Sequence, residues 1–99
     1  MQKLLQPGQA GTVESNDIII TIAPANPGAG IIIELNSPVI KQYGARITQV
    51  IQEALVSQGI TDAQVHANDK GALDCTIRAR LQTAVQRACQ GRNIDGQNA

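Results

Sequence analysis

Residues 17–24 read DIIITIAP and contain the longest run of β-branched residues in the chain. Branched side chains fit the pleated surface of a strand and lower helix propensity. In a strand, Ile18, Ile20 and Ile22 would share one face. Pro24 would end the strand, because proline lacks the backbone N–H group that a sheet needs. The stretch therefore predicts a strand with one fully apolar face, around which a small core can form.

A second strand is predicted immediately downstream. Residues 24–30 (PANPGAG) combine two prolines with two glycines and are typical of a loop. The next residues, IIIELN, would place Ile31, Ile33 and Leu35 on one face. Two strands joined by such a loop most simply pair as an antiparallel hairpin.

A helix of about five turns should follow this strand. Asn36 or Ser37 would cap it, and Pro38 would occupy its first position. Gln58-Gly59 would end it. Apolar residues recur at spacings of three and four and predict one buried stripe: Val39, Tyr43, Ile47, Val50, Ile51, Ala54 and Leu55.

A third strand and a second helix complete the pattern. Residues 63–68 (AQVHAN) alternate, so Ala63, Val65 and Ala67 should face the core and His66 should face away from it. Residues 69–71 (DKG) are interpreted as the start of the next helix, capped by Asn68 or Asp69, rather than as a binding site. The second apolar stripe comprises Leu73, Ile77, Leu81, Ala84, Val85 and Ala88.

These elements predict an α+β fold, a small two-layer sandwich. It would have three or four mostly antiparallel strands with two helices packed on one face. The possible fourth strand, residues 11–15, would pair back onto residues 18–22 through a tight turn. Arginines of the second helix and just beyond it are expected to form a solvated face: Arg78, Arg80, Arg87 and Arg92.

Composition excludes several classes of protein. The 99 residues carry eight Lys+Arg against eight Asp+Glu, so the formal net charge is zero and no basic face for nucleic acid is expected. Tyr43 is the single aromatic residue, which leaves no platform for base stacking. No run approaches the roughly 18 apolar residues of a membrane span, and the N-terminal residues do not resemble a signal peptide. A cytoplasmic protein without nucleic-acid or membrane partners is predicted.

The two cysteines are expected to be free thiols. Cys75 and Cys89 lie 14 positions apart in one predicted helix, which separates them by about 21 Å, whereas a disulfide needs Cα atoms within about 7 Å. Two cysteines and one histidine without CxxC spacing predict no structural metal site. A small enzyme that uses Cys75 or Cys89 as its nucleophile is the weakest of the functional alternatives, because His66 is the one histidine available as a base.

Ser15 lies in the stretch GTVESND, residues 11–17, just before the isoleucine strand. Its neighbours Glu14, Asn16 and Asp17 are expected to support a turn, because short polar side chains bond to nearby backbone groups. A serine nucleophile needs a base within hydrogen-bond reach, and none is visible here. An exposed turn serine can instead be an acceptor that another enzyme modifies.

Three separated motifs carry a resemblance to a known family. GTVESND followed by an isoleucine strand and IAP, then NSPVIKQYG, then NDKGALDCTIRARLQTAVQRA, occur in the order found in the citrate lyase acyl carrier proteins. The resemblance covers nearly the whole chain up to Gly91. Relatives with this motif often have glycine after the serine, where this chain has Asn16, a residue that also tolerates positive φ.

The resemblance implies a carrier subunit without its own catalytic site. Ser15 would bear 2'-(5''-phosphoribosyl)-3'-dephospho-coenzyme A, attached by a prosthetic-group transferase. The thiol of that group would hold acetyl and citryl units as thioesters. The alpha subunit would exchange acetyl for citrate, and the beta subunit would release oxaloacetate. Residues 1–90 would form the acyl carrier domain and residues 91–99 a flexible polar tail. A non-covalent scaffolding subunit of a larger complex remains the alternative.

Overall fold

The computed structural model describes residues 3–90. In chain order its elements are β1 (Gly8–Gly11), β2 (Ile18–Pro24), β3 (Ile31–Asn36), α1 (Ile40–Ser57), β4 (Ala63–Asp69) and α2 (Asp74–Cys89). The predicted polar tail, residues 91–99, lies outside this described range. The isoleucine stretch is a strand, as its β-branched side chains predict.

The four strands of the described chain form one mixed sheet in the order β1-β2-β4-β3. Strand β2 is antiparallel to β1 and β4, while β3 is parallel to β4. The predicted hairpin of β2 with β3 is therefore wrong, because β4 lies between them. Helix α1 carries the chain from the end of β3 back to the start of β4, and a helical crossover of this kind joins parallel strands.

Strand β1 lies earlier in the chain than predicted, at residues 8–11, and residues 12–17 form the loop to β2. Gly8 of β1 packs directly against α2: a Cβ atom built there would lie 2.6 Å from Ala88 N and closer still to Ala84 O. Strand and helix backbones therefore approach within a distance that only glycine permits. This contact places the loop after β1 beside α2.

One face of the sheet and the facing stripes of the two helices form the core, which confirms the α+β architecture with both helices on one face. Ile18, Ile20 and Ile22 of β2 are fully buried, as predicted. The inward residues of β4 are also buried, and those of β3 are partly buried. On the opposite face His66 is exposed, as its place in the alternation predicts.

Helix α1 begins two residues later than predicted. Its N-cap is Val39, which makes no side-chain cap, and Pro38 lies in the turn before it. Ser37 contributes to that turn by accepting a hydrogen bond from Val39 N–H on its Oγ (3.2 Å). Tyr43, predicted to lie in the buried stripe, is 56% exposed. Helix α1 ends where predicted, and Gly59 just after it has a φ of 78°.

Helix α2 begins at Asp74, so neither Asn68 nor Asp69 caps it. Asp69 ends β4 instead and is fully buried. Its carboxylate accepts hydrogen bonds from the Ser37 hydroxyl (2.8 Å) and from Ala72 N–H (2.9 Å). Leu73, predicted to be in the apolar stripe, is 70% exposed, because it precedes the first helical turn. The buried carboxylate ties the loop after β3 to the loop after β4.

Both cysteines lie on α2 as free thiols, which confirms the predicted absence of a disulfide between them. Cys75 is exposed and Cys89 is half-buried, and burial raises the pKa of the Cys89 thiol. Within residues 3–90, neither helix is long and apolar enough to cross a membrane.

Candidate functional site

Ser15 is exposed at the second position of a four-residue turn. Asp17 N–H donates to the Glu14 carbonyl oxygen (3.2 Å) and closes the turn. Asn16, at the third position, has a φ of 65°, which is the pattern of a type II turn, where glycine and asparagine are favoured. Within residues 3–90 the Ser15 hydroxyl makes no hydrogen bond to another group. The turn thus presents a free hydroxyl to solvent.

The backbone on both sides of this turn is bonded to the loop that follows β4. Asn16 N–H donates to the Lys70 carbonyl oxygen (2.8 Å), and Lys70 N–H donates to the Asp17 carbonyl oxygen (2.8 Å). These two bonds extend the pairing of β2 with β4 beyond the last register pair, Ile18 with Asp69. Residues 69–71, interpreted from sequence as a helix start, therefore support the serine turn instead.

Asp17 is the centre of the side-chain contacts at the turn. Its carboxylate accepts two hydrogen bonds from Arg80 of α2, Nε to Oδ1 (3.0 Å) and Nη2 to Oδ2 (2.8 Å). Thr12 Oγ–H donates to Oδ2 (2.7 Å), and Ile18 N–H donates to Oδ1 (2.7 Å). Thr12 Oγ in turn accepts from Glu14 N–H (3.2 Å). Two side chains of the GTVESND motif, Thr12 and Asp17, thus bond to each other, and Asp17 also bonds to α2.

These contacts set the charge state of the carboxylate. The hydrogen bonds from Arg80, then those from Thr12 and the Ile18 backbone, hold the pKa of Asp17 well below its ordinary value of 3.8. The same partnership raises the pKa of Arg80. Asp17 is therefore ionised at neutral pH, and its oxygens are occupied as hydrogen-bond acceptors.

The one histidine of the chain is not placed to activate Ser15. His66 lies opposite Thr21 in the register of β2 with β4, within the sheet rather than at the turn. Its Nδ1 lies 3.2 Å from Oε1 of Glu34, on the exposed face of the sheet. The structure brings together the four predicted turn residues, Glu14, Ser15, Asn16 and Asp17. His66 lies in the middle of β4, away from this turn.

Sequence reasoning missed the role of the α2 arginines. Arg80 contacts Asp17, Arg78 lies 3.6 Å from Glu53 of α1, and Arg87 donates to the Gln9 carbonyl oxygen (2.7 Å). Arg78 and Arg87 are exposed, as the predicted solvated face requires, whereas Arg80 is half-buried against the turn. Arg92 lies outside the described residues. No local pattern reveals the contact of Arg80 with Asp17, because 63 positions separate the two residues.

An open cleft of about 430 Å³ lies between the start of α1 and the loop after β4. The partly exposed side chains of Tyr43 and Leu73 line it, together with Gly71. A Cβ atom at Gly71 would lie 3.6 Å from Asn16 Oδ1, so the cleft adjoins the serine turn. Ser15 itself is not among its lining residues. The described residues contain no group of three or more His, Cys, Asp or Glu side chains that could hold a metal ion.

Comparison with known proteins identifies relatives over almost the full chain. The family model ACP, described as malonate decarboxylase delta subunit (MdcD), matches residues 5–88. The citrate lyase acyl carrier protein of Pectobacterium carotovorum is 44% identical over 94% of this chain and 95% of its own. That of Lacticaseibacillus casei is 48% identical over 94% and 90%.

A solved structure agrees on the fold. A chain in the crystal structure of a Pseudomonas malonate decarboxylase hetero-tetramer in complex with malonate superposes with a TM-score of 0.65, covering 87% of this chain and 92% of that one. At 22% identity this similarity supports the fold alone. The sequence relationships go further, because they extend through the serine turn and both helices. The chain belongs to the citrate lyase acyl carrier protein family.

Proposed function

We propose that this chain is the covalent acyl carrier subunit of a citrate lyase. Ser15 would bear 2'-(5''-phosphoribosyl)-3'-dephospho-coenzyme A and would carry acetyl and citryl units during cleavage of citrate to acetate and oxaloacetate. The partners would be the alpha (acyl transferase) and beta (citryl lyase) subunits and a prosthetic-group transferase. The observation that carries the proposal is a free, exposed serine hydroxyl on a well-bonded turn in a chain of this family.

The site fits a large group attached from outside. Ser15 is exposed, so a bulky substituent on its oxygen displaces no buried side chain. The Asp17 carboxylate, two positions from Ser15, already accepts hydrogen bonds from Arg80 and Thr12 and is therefore not available as a base for the serine. Phosphodiester formation would join Ser15 Oγ to phosphorus, release the leaving group of an activated donor and pass the hydroxyl proton to a base of the transferase.

The group, when bound, would supply a terminal thiol on which an acyl unit is activated. The chain's own residues contribute a fixed attachment point. Because the arm is tethered, its end would be present at each partner's active site at a high effective concentration without dissociating from the complex. A turn held by Lys70 on one side and α2 on the other suits this role, since its orientation relative to the domain is set.

Intact mass spectrometry of the chain purified from cells that express a complete citrate lyase gene set tests the proposal. We expect wild type to carry one added nucleotide-sized mass, and the Ser15→Ala variant to carry none. Ser57→Ala is a matched control, because the Ser57 hydroxyl bonds to the Ala54 carbonyl oxygen at the C-terminus of α1 and its loss should not affect modification.

A second control separates the carrier from a thiol enzyme. The folded double variant Cys75→Ala, Cys89→Ala should retain both the added mass and citrate cleavage by the complex. An unmodified wild-type chain in an active complex would refute the carrier proposal and favour a non-covalent scaffolding subunit. Loss of turnover in the cysteine variant with the added mass intact would favour a catalytic thiol.

A further inference from the structure

Arg80 makes a paired side-chain contact between α2 and the serine turn. Its planar guanidinium donates two parallel hydrogen bonds to the two oxygens of Asp17, at 3.0 and 2.8 Å. Paired bonds of this kind fix orientation as well as distance. The Asp17 side chain is 14% exposed, so the contact is largely shielded from water on that side.

We propose that Arg80 is a positioning residue for attachment at Ser15: by holding Asp17, it keeps the turn in the conformation that the transferase modifies. This inference rests on the proposed function, since it concerns the modification of the same serine. Arg80 has no part in the chemistry of the attachment step, and it acts through Asp17 and Thr12.

The hydrogen bonds trace the route from Arg80 to the turn. Asp17 Oδ2, held by Arg80, also accepts from the Thr12 hydroxyl. Thr12 Oγ accepts from Glu14 N–H, the residue immediately before Ser15. Arg80 thus acts on the segment that leads into the serine, on the opposite side from the backbone bonds to Lys70.

The two sides of the turn depend on different supports. Asn16 and Asp17 are held by backbone bonds to Lys70, and these bonds do not involve the Arg80 side chain. Residues 12–15 make no backbone bond to Lys70. Apart from the bond from Asp17 N–H that closes the turn at Glu14, they are held by the Asp17 carboxylate through Thr12. Without Arg80, the carboxylate keeps only the bonds from Thr12 and Ile18, and its orientation is set less firmly. We therefore expect greater mobility in residues 12–15 while the sheet is unchanged.

A mobile turn must be ordered when the transferase binds it, and fixing each residue has an entropic cost. Loss of order equivalent to about one residue corresponds to a decrease on the order of tenfold in kcat/KM for modification. Since the cost is incurred on binding, the change should appear in KM with kcat little altered.

The test uses purified, unmodified chain with the prosthetic-group transferase and its activated donor, and follows the added mass over time. We expect Arg80→Gln to lower kcat/KM on the order of tenfold through KM. Arg80→Lys should lose less than Arg80→Gln, because lysine keeps the positive charge. Its rescue should be only partial, because an ammonium group cannot span both carboxylate oxygens. Amide hydrogen exchange should accelerate at Glu14 in Arg80→Gln and stay unchanged in α1 and β4.

Arg78→Gln is the matched control. Arg78 lies on the same helix, its side chain is 46% exposed against 40% for Arg80, and it also faces a carboxylate, Glu53. This variant should be modified at the wild-type rate. The double variant Asp17→Asn, Arg80→Gln should be modified no more slowly than Asp17→Asn alone, because Arg80 acts through that carboxylate.

The outcomes separate this inference from the proposed function. Wild type that is never modified overturns both. Wild type that is modified, with folded Arg80→Gln at the wild-type KM, overturns the positioning role alone. Equal losses in Arg78→Gln and Arg80→Gln would indicate general destabilisation of α2 and would also overturn it. If Arg80→Gln fails to fold, Arg80→Lys decides: wild-type kinetics and exchange in that variant reject a need for the paired bonds.

Discussion

Replacement of Asp69 by alanine should remove the buried connection between the loops that follow β3 and β4. The carboxylate is fully buried and accepts hydrogen bonds from the Ser37 hydroxyl and Ala72 N–H. A hydrogen bond to a charged group contributes about 1.5–3 kcal/mol, so the two together contribute about 3–6 kcal/mol. Removing the carboxylate also removes the cost of burying it, which offsets part of the loss.

The net expectation for Asp69→Ala is a decrease of about 2–4 kcal/mol in the free energy of unfolding. For a domain of this size that corresponds to a drop of roughly 10–30 °C in Tm. Asp69→Asn should fall between wild type and alanine, because an amide oxygen can still accept from Ala72 N–H. Part of the effect should reach α1, since Ser37 Oγ also accepts from Val39 N–H.

Urea denaturation followed by far-ultraviolet circular dichroism measures these differences, with thermal melting as a second measurement. Asp62→Ala is the matched control: Asp62 is half-buried and accepts hydrogen bonds from Gly30 N–H (2.8 Å) and from the Thr61 hydroxyl at the surface (3.2 Å). The loss of this carboxylate should cost about 1 kcal/mol, because its hydrogen bonds are partly exposed to solvent and are screened by it. The reasoning is refuted if Asp69→Ala is no more destabilising than Asp62→Ala, because the buried carboxylate would then contribute nothing beyond an ordinary loop contact.

Two further predictions concern β1 and the serine turn. Gly8→Ala should lower the free energy of unfolding by about 1–3 kcal/mol, because the added methyl group meets the α2 backbone. In chemical denaturation Gly44→Ala, whose methyl group meets only the side chain of the exposed Ile40, should stay within about 1 kcal/mol of wild type. The pKa of Asp17 is lowered in the folded state, so the ionised carboxylate stabilises the fold fully at neutral pH. This stabilisation should be lost progressively as the pH falls below about 5 and the carboxylate becomes protonated. Asp17→Asn should therefore be less stable than wild type at neutral pH and lose less stability on acidification, as measured by urea midpoints across that range; parallel curves would contradict the assignment.

The sequence predicted the strands and helices well where hydrophobic periodicity was strong. Five consecutive β-branched residues specified β2, and the alternation in residues 63–68 specified β4 and the outward direction of His66. Helix starts were less well predicted. Both were placed too early, because capping residues such as Ser37 and Asp69 occur before the helices, and only the fold shows that their side chains bond to each other.

Strand pairing was the larger error. Adjacent strands joined by a short loop usually pair, but β2 and β3 both pair with β4. The periodicity of each strand fixes which side chains face the core, and it contains no information on which neighbour supplies the backbone hydrogen bonds. That choice follows from the crossover through α1, which brings β4 in parallel to β3.

By itself, the sequence determined the α+β class, the inward faces of the elements, the position of the serine in a turn and the family, because these properties depend on local pattern and on motif order. Tertiary structure alone decided the sheet order, the burial of Asp69 and the contact of Arg80 with Asp17. Each of these depends on residues far apart in the chain that meet only after packing, and their contacts have geometric requirements that no local spacing encodes. The hydroxyl of Ser15 is exposed because of its turn, whereas that turn is joined through Asp17 to a helix that begins 59 residues later.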